Sequence, residues 1–184
     1  MFALQLGHGV EMRPLEPWQA AEFAAHVDRV RDDISPWIPW AATVTDTDSA
    51  RALLELYATR LASDAGRIYG IWVDGVLTGG TVFRTFDPAM GNCEVGVWMG
   101  RSGRRRGLVS AAVRHMIEWA VGERGMARVE WHCDPENGPS VATAKRLGFT
   151  CEGTLREAFV MDGERRGVQI WSMLASEWRA AQAS

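Results

Sequence analysis

Apolar positions along the chain follow two periods, and the way these alternate sketches a mixed fold. Leu4–Leu6 and Val10–Arg13 predict a short strand or hairpin around Gly7 and Gly9. Pro17, tolerated in a first helical turn, opens a predicted helix over Trp18–Arg31. The segment Ile34-Ser-Pro-Trp-Ile-Pro-Trp40 ends that helix, because its prolines lack amide donors and clash with a helical path. Asp46 or Asp48 then caps a further helix. Arg67–Val73 and Val76–Arg84 flank Asp74-Gly75, a two-residue hairpin signal, and Asn92–Met99 is the next strand.

A helix from about Leu108 to Arg124 carries Val109, Val113, Met116 and Ala120 on one face. Arg128–Cys133 reads as a strand and Pro139–Leu147 as a short helix stopped at Gly148. Thr150–Met161 and Val168–Leu174 read as strands joined across Asp162-Gly163, and a last helix starts near Ser176. Hairpins dominate the first half, whereas crossovers link the later strands. The pattern therefore predicts a single α/β domain over residues 1–184, built on a mixed sheet with helices on both faces.

Composition narrows the function classes. The chain has 184 residues, is 47% hydrophobic and carries a net charge of −3. That is material for one core, and the acidic balance argues against general nucleic-acid binding. Met1–His8 has no basic start and no long apolar run, so it does not read as a signal peptide. No stretch approaches the ~20 apolar residues of a membrane span. Cys93, Cys133 and Cys151 form no CxxC pair, and the four histidines show no ligand spacing, so neither a metal site nor a disulfide framework is expected. A reducing, cytoplasmic compartment fits this usage. Tryptophan is seldom fully hidden, so several of the nine are expected to line a groove or an interface, and a homodimer is one such arrangement.

Candidate chemistry concentrates in two segments. In the first, Glu94-Val-Gly-Val-Trp-Met-Gly-Arg-Ser-Gly-Arg-Arg-Arg-Gly107, a strand runs through a loop of glycines and arginines directly into the long helix. Backbone N–H groups and the positive end of the helix dipole then face one point, which suits a phosphate group; the other reading is a solvated basic turn. The second segment is Asn137-Gly-Pro-Ser140, a short helix, then Gly148-Phe149-Thr-Cys-Glu152-Gly153. No GxxxxGK[S/T] or GxGxxG motif is present, which speaks against Walker or Rossmann nucleotide binding.

This pair of segments resembles the GNAT superfamily of acyl-CoA-dependent N-acyltransferases. The closer resemblance is to the RimJ/RimL type, the N-terminal acetyltransferases of ribosomal proteins. Trp37-Ile-Pro-Trp40, Leu155-Arg-Glu157 and Asp162-Gly163 also look like that group, and the likeness runs from Val10 to Leu174. It implies a GNAT fold with a central, mostly antiparallel twisted sheet of about seven strands. It further implies acetyl-CoA, or another acyl-CoA such as succinyl-CoA, as co-substrate, and an amine acceptor that is a peptide N-terminus or a small molecule.

Residue roles follow from the resemblance. The backbone amides of Arg104, Arg105, Arg106, Gly107, Leu108, Val109 and Ser110 hold the pyrophosphate, and Val97, Trp98 and Met99 offer a strand edge to the pantetheine. Arg105 stands where the family usually has a glycine. Asn137 orders its loop and contacts the thiol end, and Ser140 is the candidate acid for the leaving thiolate, or else a first-turn helix residue. Glu94 is the candidate base, acting through a water, or else the partner of a neighbouring arginine. Phe159 falls where the RimL type has a glutamate. Glu157, two residues away, is the second candidate base, since strand side chains alternate. Trp37 and Trp40 flank the acceptor, or else form a hydrophobic clasp, and His132 reads as structural. A non-catalytic CoA-binding or sensory module is the rival reading.

Overall fold

The computed structural model describes residues 3–183; Met1 and Phe2, part of the N-terminal segment weighed above, and Ser184 lie outside the described residues. Eight strands form one sheet: β1 (Leu4–Gly7), β2 (Val10–Pro14), β3 (Arg67–Val73), β4 (Val76–Asp87), β5 (Asn92–Met99), β6 (Arg128–Cys133), β7 (Thr150–Met161) and β8 (Glu164–Leu174). Their order across the sheet is β1-β2-β3-β4-β5-β6-β8-β7. Only the β5–β6 neighbours are parallel among the pairings. Of the short strand or hairpin expected around Gly7 and Gly9, the structure has the hairpin, turned by Gly9 at φ +68°, which brings the total to eight where about seven were expected.

A 3₁₀ turn (Pro17–Gln19) leads into α1 (Ala20–Ile34), followed by α2 (Trp40–Thr43) and α3 (Thr47–Ala62). Asp46 settles the cap of α3, its Oδ1 accepting from the Ser49 amide at 2.8 Å. On the other face lie α4 (Leu108–Glu118), α5 (Gly138–Leu147) and α6 (Ala175–Gln182). α4 runs on into a π-helical turn over Trp119–Glu123. Alternation along the strands separates two cores. Cys93, Val95 and Met99 of β5 pack with Val113, Met116 and Ala120 on the α4 side. Trp98, from the same strand, packs with Phe23, Val27 and Leu54 on the α1–α3 side. Each such fully buried side chain contributes about 1.5–3 kcal/mol of transfer free energy.

The tryptophans correct an expectation. Six of them (Trp72, Trp98, Trp119, Trp131, Trp171 and Trp178) are core residues, and Trp18 alone is broadly exposed, at 74%. For five of the six, burial is tolerated because the indole N–H finds an acceptor. Trp72 donates to Glu22, Trp98 to His26, Trp131 to Ser140, Trp171 to Gln169 and Trp178 to Glu118.

Candidate active site

The site begins where two strands part. β5 and β6 are in register over Asn92↔Arg128, Cys93↔Val129 and Glu94↔Glu130 and no further. Beyond Glu94, β5 stays with β4 as far as Met99, while β6 stays with β8 as far as Cys133. A wedge opens between them, with one backbone edge of β5 unpaired. Gly100 donates its N–H to Thr78 O on the β4 side at 3.4 Å. Alternation in an antiparallel ladder therefore turns the backbone groups of Val97 and Met99 into the wedge and those of Trp98 toward β4. The Trp98 side chain is buried beneath the wedge. Its ring meets Trp40 edge-on at 5.5 Å, and its N–H donates to His26 Nε2 at 3.1 Å. Burial holds His26 well down, at about 4, so that its imidazole is neutral.

The arginine-glycine loop closes one end of the wedge. Arg101 pairs with Asp33 at 2.5 Å. Arg104 gives its amide to Arg101 O, its Nε to Met99 O at 3.3 Å and its Nη2 to Asp33 O at 3.2 Å. Of the expected phosphate-binding stretch, Arg104 is thus a brace between the loop and the end of α1. The amides of Arg105 to Ser110 have no acceptor among the described residues. Arg105 adopts φ +61° and Gly107 φ +74°. Arg105 thus takes the left-handed conformation that a glycine would give freely, at a cost of about 1 kcal/mol or more. A Cβ built on Gly107 would meet no atom within 4 Å, so the space before α4 is open. Donor amides, open space and a helix N-terminus together fit a diphosphate. Ser110 Oγ accepts from Arg146 Nε at 3.2 Å, and the guanidinium of Arg106 has no partner among the described residues.

At the other side of the wedge stands Ser140, in the first turn of α5. The Asn137 side chain caps that helix, Oδ1 accepting the Ser140 amide at 3.2 Å. Ser140 Oγ accepts from the Trp131 indole at 3.0 Å, which leaves its own O–H free to donate. Cys133 lies close by, and burial pushes its thiol up.

Polar groups line the sheet face opposite α4. Glu94 is 7% exposed, and its Oε1 lies 3.2 Å from Arg84 Nη1. Arg84 occupies a β-bulge in β4, between the pairs Phe83↔Val95 and Thr85↔Glu94, which turns it toward Glu94. The network continues along β6. His132 Nε2 is 2.7 Å from Glu130 Oε2, and Arg128 Nε donates to Glu130 Oε1 at 2.7 Å. Arg128 also binds both oxygens of Glu152 on β7, and Ser172 of β8 donates to Glu152 Oε1 at 2.8 Å. Arg128, then Ser172, hold the Glu152 carboxyl down at about 2. Sequence reasoning missed Glu130, Arg128 and Arg84. A signal existed in β6, whose charged residues at every second position mark one polar face.

The remaining expected residues take different places. Glu157 departs from strand alternation. Three residues, Arg156–Ala158, bulge opposite Gly167, and Glu157 itself has φ +51°, so its direction is not that of Phe159. It lies on the exposed edge strand beside an open hollow of about 630 Å³ lined also by Thr154, Leu155 and Arg156. Trp40 is clasped between Phe23 and Trp98, with centroids at 5.7 and 5.5 Å. Trp37 is half-buried in the α1–α2 loop. That loop is tied to β8 by Arg166 Nη1, which donates to Pro36 O at 3.1 Å and stands 3.6 Å from Asp134 Oδ2.

Comparison with known proteins places this architecture. YdaF of Bacillus subtilis (strain 168), provisionally named a ribosomal N-acetyltransferase, is 26% identical over 183 residues, covering 97% of this chain and 98% of its own length. Among solved structures, RimL, a ribosomal L7/L12 alpha-N-protein acetyltransferase in complex with coenzyme A, is similar in fold. Its TM-score is 0.89 at 18% identity, covering 95% of this chain and 99% of its own. The microcin C7 self-immunity acetyltransferase MccE, in complex with acetyl-CoA and AMP, gives 0.86 at 23% identity, covering 93% and 95%. Residues 10–150 match the acetyltransferase (GNAT) domain, most of the chain and every element that frames the wedge, and the chain belongs to that family.

Proposed function

We propose that the protein transfers an acetyl group from acetyl-CoA to a primary amine, the α-amine of a peptide or a small-molecule amine. One observation carries this reading: the unpaired edge of β5 opens directly beside the unpartnered amides of Arg105–Ser110. Those amides suit the diphosphate of coenzyme A. The free backbone of Val97 and Met99 suits its pantetheine amides, which bind as an added strand would. The thioester then reaches the vertex of the wedge near Glu94 and Glu130. The relatives named for ribosomal-protein acetylation support a protein α-amine as acceptor. Acetyl is favoured over succinyl by charge. Arg84 and Arg128, on the acceptor face, each already hold a carboxylate, so neither is free for a second one on the acyl group.

The reaction is direct attack of the amine on the thioester carbon. A wedge-facing N–H of β5 stabilises the oxyanion. The Ser140 hydroxyl, oriented by the Trp131 N–H, donates to the departing thiolate. The α1–α2 loop with Trp37 walls the acceptor side. The test combines calorimetry with acetyl-CoA and a thiol-release assay on peptides with free or blocked α-amines and on small amines. Binding, with thiol release on free amines and none on peptides whose α-amine is blocked, is the expected result, and the amine in the panel that turns over fastest identifies the acceptor class. Binding without release on any amine would establish the non-catalytic CoA-binding module instead.

A further inference from the structure

We infer that His132, held by Glu130 and facing Glu94, is the group that takes the proton from the acceptor ammonium. The inference rests on the acetyl-transfer reading above and deepens it. Register places Glu94 and Glu130 side by side at the last pair before the strands part. His132, two residues along β6, shares their face. Glu130 is fixed from both ends, Oε1 by Arg128 at 2.7 Å and Oε2 by His132 Nε2 at 2.7 Å. An ionised carboxylate only accepts, so in the neutral ring Nε2 carries the hydrogen and Nδ1 holds the lone pair. Nδ1 faces Glu94 Oε1 across 3.7 Å, too long for a hydrogen bond between them. An ammonium placed against both would donate one N–H to the lone pair and another to the carboxylate. Glu94, already paired with Arg84, supplies charge, and His132 supplies the vacancy for a proton.

The proton count closes. The ammonium loses one proton to His132 Nδ1, and the freed amine pair forms the C–N bond at the thioester carbon. As the C–S bond breaks, the second nitrogen proton leaves and the thiolate is protonated by way of Ser140. His132 returns its proton to solvent, so the products are amide, CoA thiol and one proton. Charged and titratable groups around the ring are Glu94 of β5, Arg84 of β4, Glu130 and Arg128 of β6, and Glu152 of β7. Asp134 with Arg166 lies beyond the end of β6, and Tyr57 of α3 faces Glu94 and Arg84.

The test uses His132→Gln and Glu130→Gln in the full chain. His132→Gln should lower kcat by about 10²-fold with acetyl-CoA affinity unchanged. Its rate should climb with pH throughout, because the amine must then lose its proton to bulk water. Nitrogen NMR of the imidazole, which needs no turnover, should show a bare Nδ1 in the parent protein. In Glu130→Gln the hydrogen should move to Nδ1, with a matching loss of kcat. An Nδ1–H ring in the parent, or a His132→Gln enzyme with parental kcat and pH profile, overturns the assignment of His132 alone. A parent protein that binds acetyl-CoA but turns over no amine overturns the transferase reading, and the base with it.

Discussion

Two side chains under the site have measurable double lives. Ser140 Oγ is both the candidate acid and the acceptor for a buried indole, so Ser140→Ala leaves the Trp131 N–H unsatisfied, at a cost of about 1–3 kcal/mol. Trp131→Phe deletes the same hydrogen bond and keeps the hydroxyl. Ser140→Ala should therefore lower kcat far more than Trp131→Phe, with acetyl-CoA binding preserved in both; equal losses of kcat would assign Ser140 to architecture. His26 is the second case. Its folded value of about 4 lies below the ordinary histidine value of 6.5, so its contribution to stability is whole above pH 6.5 and lost as pH falls toward 4. The full loss is of order 3 kcal/mol. Thermal unfolding followed between pH 7 and pH 4 should show this decline, and His26→Gln should flatten it.

At the scale of elements, the loop before α4 joins backbone strain to ligand geometry. Gly107→Ala should cost about 1 kcal/mol of stability and weaken acetyl-CoA at least about tenfold, since the new methyl group enters the space read as the diphosphate site. Gly125→Ala is the control. Gly125 also has positive φ (+67°) with no atom near its Cβ, so stability should fall similarly while acetyl-CoA binding stays at the parent value. The bounds of β5, β6 and β7 were readable from local pattern, lying where apolar runs and turn residues put them, whereas β8 begins at Glu164, four residues before the expected Val168, because its polar first residues are ordered by pairing with β7. The bulges at Arg84 and at Arg156–Ala158 were not readable, because an extra residue in one strand is defined only against its partner. The polar face joining Glu94 to Glu130 and His132 escaped for the same reason. A parallel register between segments so far apart in sequence has no local signature.

Across the whole molecule, Asp64 links layers that the sheet separates. It follows α3 on one face and binds Arg124, which follows the π turn on the other, as well as Arg67 at the start of β3. Arg124, first, and Arg67 hold its carboxyl down at about 2 against an ordinary aspartate value of 3.8. The stabilisation is therefore present above pH 3.8 and lost as pH falls through 2. Asp64→Asn keeps a side chain that tolerates φ +57° and removes only the charge. It should lower Tm at neutral pH, and the gap from the parent should close near pH 2. Fold class was legible at this scale because element order alone implies a mixed sheet. The six core tryptophans were not, since the acceptors of four of them (Trp72, Trp98, Trp131 and Trp178) come from other elements.

The parting of β5 from β6 after the Glu94↔Glu130 pair has a consequence for tolerated sequence change. Side chains on a strand swap sides with each step, so one residue inserted upstream in either strand would send its carboxylate into the oily layer around α4 and bring an aliphatic group out in exchange. Loop lengths elsewhere can drift, but the count of residues leading to this fork is frozen.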